Sequence, residues 1–362
     1  MDLPAPLAWL VDEAIACHEP EQFLATLGRQ LLADNLPLAG GALTLAVPDP
    51  IIAHRSWLWQ AETGAVIERL SFKGAATGGM GPDGAPQDRT AEDWLAGLGS
   101  LAEDTDASNA PAPVLRWAGI HPFSPGETER LHQVARFAAT PLALLKEKAA
   151  LSALLDAYLG RRSAARVRAG AVGRGTGETI RAVLLCADLR NFTTLSETTD
   201  PDLVIAALDA WFDRMAGAIH AFGGEVLKFI GDGLLAIFPV IHSPAEASDA
   251  ALRAVIAARA GMAHLDATRK EDGLSPLPFG VALHLGDILW GNIGAADRLD
   301  FTAIGPAVNL VSRLEGLCRP LGRSVLASGA VAAQTSIQLV PLGEHRLRGI
   351  AAPCAIFAVP DA

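Results

Sequence analysis

The chain has 362 residues, more than one typical hydrophobic core accommodates, so its length predicts two domains and a connector. Half of the residues are hydrophobic and 19% are charged, which excludes a mainly disordered chain. The formal net charge of −11 argues against non-specific binding to nucleic acid or anionic membrane, because both depend on clustered Lys and Arg. A bound polyphosphate would therefore need metal ions to supply positive charge.

The cysteines are scattered without a CxxC spacing, at Cys17, Cys186, Cys318 and Cys354. This pattern predicts free, buried thiols and argues against zinc ligands or a disulfide framework. Acidic residues interrupt the apolar N-terminus, and no apolar run approaches the ~18 residues of a membrane helix. We therefore expect a cytoplasmic protein without a membrane span.

Residues 1–145 are predicted to form an N-terminal domain, with helices, then strands, then a terminal helix. Its strand-like runs are GALTLAV, HRSWLWQ and AVIERLSF, and the Gly- and Pro-rich stretch GAATGGMGPDGAPQDRT is predicted to be a loop. This order loosely resembles a GAF-type sensor, and an α/β dimerisation domain without a ligand fits equally well. The tryptophans of this half either line a pocket or form core, at Trp57, Trp59, Trp94 and Trp117. The adjacent Cys17 and His18 raise the further alternative of a haem or metal site.

A long helical pattern begins at a capping box made by Ser124, Pro125 and Glu127 and continues to about residue 160. The basic, Gly-rich run RRSAARVRAGAVGRGTGE follows it. We interpret this run as a linker, because its glycines follow a helix and it lacks the GK[ST] of a phosphate-binding loop. Residues 146–180 are therefore assigned to a helical connector and linker.

Residues 181–362 show a different pattern. AVLLCADL is a buried-strand run, and an amphipathic helix, the hairpin around KFIGDG and a second helix follow. LPFGVALHLGDILWGNIG is interpreted as two strands, and AVNLVSRLEGLCRPLG as a third helix. Strand, helix, hairpin, helix and strand in this order predict a ferredoxin-like α/β (α+β) domain.

Charged residues stand at three places in this half where the pattern is otherwise apolar. In KFIGDG, Lys228 lies in a strand and Asp232 at the hairpin tip, with Asp-Gly supplying the positive φ angles of the turn. Asp188 ends the AVLLCADL strand, and two converging carboxylates repel each other unless a cation such as Mg²⁺ joins them. Asn309 and Arg313 are spaced i, i+4 and share one helix face. Taken singly, each has an ordinary alternative as a turn residue, a cap or a solvated helix charge, and the same holds for Glu315.

The joint occurrence of CADLRNFT, KFIGDGLLAIF and DFTAIGPAVNLVSR, in this order, resembles the class III nucleotidyl cyclase catalytic domain. The resemblance covers about half of the chain. It implies that Asp188 and Asp232 hold two Mg²⁺ or Mn²⁺ ions, with the Leu189 carbonyl near the metals. It further implies an in-line attack of the ribose 3′-oxygen on the α-phosphorus of the substrate, with pyrophosphate leaving.

The same resemblance assigns the remaining site residues. Lys228 matches the purine-selecting lysine and Thr302 the second base-reading position. Asn309 matches the residue that orients the ribose, and Arg313 the arginine that stabilises charge on the reacting phosphate. Arg348 stands where a basic residue holds the terminal phosphates.

Base choice follows from hydrogen-bond polarity. Lys228 donates and can serve the adenine N1 acceptor, while Thr302 can accept from the adenine 6-amino group. Because guanine presents the reverse pattern, ATP is favoured over GTP. In this family each active site forms between two catalytic domains, and this chain carries both sets of residues, so the resemblance implies a head-to-tail homodimer. We expect residues 1–145 to respond to an unknown ligand or protein and to regulate the reaction by setting dimer geometry.

Two residues depart from the family pattern. Asn191 replaces the usual glycine after DLR, and Pro306 stands where a polar residue is common. The alternative functions are a guanylate cyclase and a non-catalytic nucleotide sensor on a cyclase fold, although such a sensor is expected to lack some of the residues named above. GGEV at 223–226 superficially resembles the GGDEF signature of diguanylate cyclases, but it lacks the acidic pair.

Overall fold

The computed structural model describes residues 3–73, 89–102 and 113–360. The chain divides into two compact units, Met1–Tyr158 and Leu159–Ala362. The predicted loop GAATGGMGPDGAPQDRT lies almost entirely outside the described residues. None of the described helices is both long and apolar enough to cross a membrane.

The helices that the structure describes are α1 (Ala5–Asp12), α2 (Pro20–Ala33), α3 (Arg89–Ala96), α4 (Pro125–Leu159), α5 (Arg161–Arg168), α6 (Phe192–Thr198), α7 (Pro201–Ala221), α8 (Pro244–Glu271), α9 (Pro306–Glu315) and α10 (Gly329–Ala332). The strands are β1 (Leu38–Ala46), β2 (Ile52–Gln60), β3 (Val66–Phe72), β4 (Ser100–Leu101), β5 (Val114–Gly119), β6 (Gly177–Leu189), β7 (Glu225–Ile230), β8 (Gly233–Pro239), β9 (Phe279–Gly294), β10 (Leu299–Ile304), β11 (Val325–Ser328), β12 (Val340–His345) and β13 (Cys354–Ala358).

The first unit is built on an antiparallel sheet with the order β3-β2-β1-β5-β4. Apolar residues of α1, α2 and α4 form one core on this sheet, and α3 packs with a smaller cluster that includes Leu58. Trp57, Trp59 and Trp117 are at most 5% exposed, and Trp94 packs against the smaller cluster. These tryptophans are therefore core residues, as the second of the two interpretations held. The GAF resemblance itself stays a prediction.

The capping box that starts α4 is present. The Glu127 carboxylate accepts from the backbone N–H and the hydroxyl of Ser124, at 2.8 Å each. The N–H of Glu127 in turn donates to the Ser124 hydroxyl. These reciprocal bonds satisfy donors that a helix start leaves free, and α4 then runs 35 residues to Leu159.

The second unit confirms the predicted ferredoxin-like class. After α5 its elements run β6, α6, α7, β7, β8, α8, β9, where α6 is a short addition to the ferredoxin-like order, and the sheet order contains β9-β6-β8-β7. Helices α7 and α8 cover one face with a core around Val183 and Leu185, and α9 covers the other face with a core around Leu184 and Val311. Strands β11, β13 and β12 extend the sheet beyond β9.

Three predicted elements differ from the structure. The run LPFGVALHLGDILWGNIG is one strand, β9, because Gly286 and Asp287 continue the pairing with β6 and do not form a turn. A Cβ at Gly286 would lie 2.7 Å from the Cβ of Ala307, so this glycine admits α9 and does not mark a loop. The third helix, α9, ends at Glu315, because glycine follows and Pro320 prevents its continuation.

The third difference is α5, which lies where a linker was predicted. Glu225, at the start of β7, is 4% exposed, and its carboxylate accepts from the N–H groups of Arg162 and Ser163 at 3.1 Å each. It also accepts from the Ser163 hydroxyl at 2.9 Å. The cap of α5 thus comes from a side chain more than 60 residues away, which local patterns do not reveal. Glu225 belongs to the GGEV run. This run therefore anchors α5 through Glu225 and leads into β7.

Candidate active site

The two predicted metal carboxylates lie beside each other at the end of the sheet. Asp188 is the penultimate residue of β6, and Asp232 stands in the two-residue loop between β7 and β8. The preceding residue, Ala187, pairs with Leu234 just after the loop, which brings the tip to the end of β6. A Cβ at Gly233 would lie 2.8 Å from Asp188 Oδ1, so only glycine lets the hairpin approach this closely.

The turn of this hairpin differs in detail from the prediction. Ile230 pairs with Gly233, and the positive φ of 62° lies at Gly231, the first loop residue. That is the position at which a type II′ turn requires glycine. Gly231-Asp232 therefore forms the turn, not Asp232-Gly233, and Asp232 itself needs no unusual backbone conformation.

The proximity of Asp232 contributes to a raised pKa of Asp188. Burial raises the pKa of Asp188 to about 6, and the charge of Asp232 and a hydrogen bond with it act in the same direction. Among the described residues, no cluster of three or more His, Cys, Asp and Glu side chains could enclose a metal ion. Two close carboxylates without a protein-only cage suit Mg²⁺ or Mn²⁺, which take one or two carboxylates and leave positions for substrate phosphates. The donor set therefore fits the predicted metals.

A third carboxylate faces this pair from α9. The pKa of Glu315 is raised to about 7, mainly by burial and also by the charges of Asp188 and Asp232, while Arg190 acts in the opposite direction. The interpretation of Glu315 as a solvated helix charge is therefore wrong. The Arg190 side chain is held near Glu315, because its guanidinium donates a hydrogen bond to the Arg323 carbonyl at 2.6 Å. The sequence pattern did not reveal that Glu315 faces the carboxylates, because the packing of α9 on the sheet decides which side of the helix turns toward them.

The predicted base-reading residues lie on adjacent strands. Lys228 stands in β7 just after a bulge, and its ammonium forms an ion pair with Asp300 of β10. Thr302 lies two residues further along β10, on the same face of that strand, and is 6% exposed. The structure thus brings Lys228 to the β10 segment that carries Thr302, and adds Asp300, which the sequence patterns did not single out.

Asn309 and Arg313 share the exposed face of α9, as their spacing predicts. The opposite face of α9 is buried through Ala307, Val311 and Leu314. Within the described part of the chain, neither the Asn309 amide nor the Arg313 guanidinium has a hydrogen-bond or ion-pair partner. The groups that shift the pKa of Asp188 are Asp232, which raises it, and the Leu189 backbone, which lowers it; neither Arg313 nor Lys228 is among them.

Both departures from the family pattern have a local explanation. Asn191 adopts a left-handed conformation, with φ 60° and ψ 23°, and asparagine tolerates this region best among residues with a side chain. Gly305 has φ 140°, which only glycine adopts readily, and Pro306 follows it at the first position of α9, where proline is well accommodated. Each residue thus fits the backbone conformation at its own position.

Arg348 lies in a segment that carries none of the other predicted site residues. It lies exposed in the turn between β12 and β13. Strand β12 is an edge strand, separated from β6 by β13, β11 and β9. Within the described residues, no hydrogen bond or ion pair joins Arg348 to Asp188 or Asp232.

The family model for the adenylate and guanylate cyclase catalytic domain matches residues 178–357. This part of the chain belongs to the adenylate and guanylate cyclase family. The cyclase domain therefore contains both carboxylates, β10 and α9, and the match does not extend into the first unit.

Individual relatives of the cyclase domain include adenylate cyclase 1 of Rhizobium meliloti, which is 33% identical over 174 residues and covers 48% of this chain. The adenylate cyclase of Anabaena cylindrica is 32% identical over 161 residues, or 43% of this chain. The matched segments are 26% and 31% of these two relatives, so the chain spans about a third or less of their length. An adenylyl cyclase structure from P. aeruginosa is 27% identical, with a TM-score of 0.48, and covers 52% of this chain and 97% of that one.

The raised pKa of Asp188 predicts a pH-dependent stability of the metal-free protein. A carboxyl whose pKa is raised on folding is favourable while protonated, and this advantage is lost as the pH rises through about 6. Asp188→Asn removes the buried negative charge. We expect it to raise the unfolding midpoint of the second unit in the metal-free chain at pH 7.5 by roughly 2–4 °C. This is the shift that ~1 kcal/mol produces in a domain of the size of Leu159–Ala362.

The measurement is a thermal scan of the full chain in chelator at pH 7.5 and pH 4.5, where the difference should shrink. Asp209→Asn, at an exposed position of α7, is the matched control. A less stable Asp188→Asn protein at pH 7.5 would contradict the expected repulsion.

Proposed function

We propose that this protein is an adenylate cyclase that converts ATP to 3′,5′-cyclic AMP and pyrophosphate. The observation that carries the proposal is the close pair Asp188 and Asp232 within a domain of the cyclase family. The base-reading strand and the free face of α9 supply the other groups that such a reaction needs. The two named relatives of the cyclase domain are adenylate cyclases.

Asp188, Asp232 and the Leu189 carbonyl would hold two Mg²⁺ or Mn²⁺ ions together with the triphosphate. When bound, such ions lower the pKa of the ribose 3′-hydroxyl and neutralise the leaving pyrophosphate. The protein's own contribution is to keep two anionic groups close without a protein cation between them. This arrangement costs free energy in the metal-free state and favours cation binding.

Selection of ATP is assigned to Lys228 and Thr302. The Lys228 ammonium has three donors, so it can bond to adenine N1 while it retains Asp300 as a partner. The Thr302 hydroxyl can accept from the 6-amino group. The ion pair with Asp300 also holds the Lys228 ammonium on the β10 side, where it offers a donor to adenine N1 and no acceptor of the kind that guanine requires.

The residues of the transition state and those of the metals are proposed to come from different subunits. Arg313 would stabilise charge that develops on the α-phosphate, and Asn309 would orient the ribose. Both lie on a face of α9 that has no partner within the described residues, and Arg313 does not act on the Asp188 of its own chain. A head-to-tail homodimer would bring the α9 face of one chain to the carboxylates of the other and form two equivalent sites.

The N-terminal unit is proposed to regulate the cyclase domain through the connector, in response to a ligand or protein whose identity is open. Helix α4 ends at Leu159, and α5 follows after Gly160, which has φ 80°. Glu225 caps α5 and begins β7, the strand that carries Lys228 and leads to the Asp232 turn. A displacement of the connector would therefore act on a strand that belongs to the site.

The reaction is tested by incubating the purified full chain with Mn²⁺ and either ATP or GTP and measuring both cyclic nucleotides. We expect cyclic AMP from ATP and much less cyclic GMP from GTP. Cyclic GMP without cyclic AMP would identify a guanylate cyclase instead. Nucleotide binding without either product would favour the non-catalytic sensor.

Substitution of Arg313 tests its role in the transition state. Arg313→Ala is expected to lower kcat by roughly 10²- to 10³-fold, the usual loss of one preorganised electrostatic donor. The KM for ATP should change less, because the charge that Arg313 meets develops during the reaction. Arg319→Ala, at an exposed arginine shortly after α9, is the matched control. A near-normal kcat would show that Arg313 is only a solvated helix residue.

The shared site is tested by mixing inactive chains. Asp188→Ala and Arg313→Ala proteins should recover activity together, because one site of the mixed dimer contains an intact metal half and an intact α9 half. Each mixed dimer should reach at most about half of wild-type activity, since its second site carries both lesions. Asp188→Ala mixed with Asp232→Ala should stay inactive, because both lesions affect the metal half. Proven subunit exchange without recovery in the first mixture would rule out a shared site.

A further inference from the structure

A buried tryptophan contacts the loop that carries Asp232. Trp211, on α7, is 0% exposed, and its indole N–H donates to the backbone carbonyl of Asp232 at 3.0 Å. Asp232 is a loop residue, and the ladder pairing of the hairpin ends at Ile230 and Gly233. The Trp211 bond therefore holds a carbonyl group that the strands themselves leave unpaired.

The same indole also reaches the strand beside the other carboxylate. Its ring lies 5.2 Å from that of Phe279, centroid to centroid, in a tilted arrangement. Phe279 pairs with Leu189, the residue after Asp188. Trp211 thus packs against Phe279, the cross-strand partner of Leu189, and donates to the backbone carbonyl of Asp232. One rigid side chain therefore joins the two backbone segments that position the carboxylates.

The indole N–H of Trp211 is a donor that other apolar side chains lack. A buried indole N–H needs an acceptor, and here the loop carbonyl of Asp232 supplies it. A Phe or Leu side chain would keep an apolar contact with the core but would have no donor for the Asp232 carbonyl. The bond is therefore specific to the loop geometry, whereas the packing against Phe279 is not.

We propose that Trp211 is a positioning residue for the metal site, which acts by fixing the Asp232 turn relative to the end of β6. The inference rests on the proposed function for the role of Asp232 and extends it to a side chain outside the carboxylate pair. Without the hydrogen bond from the indole N–H, the loop samples more conformations. Asp232 then adopts the geometry that binds a cation for a smaller fraction of the time. The consequence is weaker metal binding at an otherwise folded site.

The test replaces Trp211 site-specifically with 3-benzothienylalanine, which keeps the bicyclic shape and has sulfur in place of the N–H. The matched control is the same replacement at Trp290, a buried tryptophan of β9 whose indole N–H has no partner within the described chain. The probe is Mn²⁺ with 2′,3′-dideoxy-ATP, which lacks the attacking hydroxyl. Bound Mn²⁺ is quantified by electron paramagnetic resonance on the full chain, and thermal scans confirm folding.

We expect the Trp211 replacement to raise the Mn²⁺ dissociation constant by about 2- to 10-fold, the range for loss of one hydrogen bond. The Trp290 replacement should leave it unchanged. In the catalytic assay the Trp211 replacement should raise the Mn²⁺ concentration needed for half-maximal rate, while saturating Mn²⁺ restores most of kcat. Trp211→Phe serves as a second variant with the same expected direction.

An unchanged Mn²⁺ affinity in the Trp211 proteins, or an equal loss in the Trp290 control, would overturn the proposal. Loss of the folded state in both Trp211 variants would assign the residue to core stability and overturn it as well. The proposed function fails separately, if the wild-type chain binds Mn²⁺ and the ATP analogue but forms no cyclic nucleotide from ATP.

Discussion

The close approach of two carboxylates is the constraint on which the rest of the cyclase domain depends. Asp188 and Asp232 lie near enough that burial and mutual repulsion raise the pKa of Asp188 to about 6. Such a pair persists only if the backbone on both sides is held by other forces. The thirteen-residue strand β6 holds one side, and the turn at Gly231 holds the other, while Gly233 removes the Cβ that would separate them.

The forces that hold this pair come from distant parts of the domain. Trp211 bonds to the turn from α7, and the core beneath it joins that helix to the sheet. Glu225 anchors α5 at the far end of the same hairpin. The hairpin is therefore anchored at both ends, by Trp211 at the turn and by the contacts of Glu225 with α5 at the start of β7. The regulation that we propose would act through the second of these anchors.

The packing of α9 determines where Asn309, Arg313 and Glu315 lie. The apolar face of α9 is buried in the sheet, and this packing forces Asn309 and Arg313 outward while Glu315 turns toward the carboxylates. Charges of opposite sign are thus kept on different sides of one short helix. Arg313 therefore lies on the side of α9 that the sheet does not cover, and the arginine beside Glu315 is Arg190.

The sequence by itself was sufficient for the ferredoxin-like class, most of the order of its elements and the cyclase family, because hydrophobic periodicity and short motifs are local properties. The capping box at Ser124 belongs to the same group. Only the tertiary structure decided that Gly286 continues a strand, that Glu225 caps α5 and that Glu315 faces the carboxylates. Each of these depends on a neighbour far away in the chain, and local patterns carry no information about which distant surface will pack against a residue.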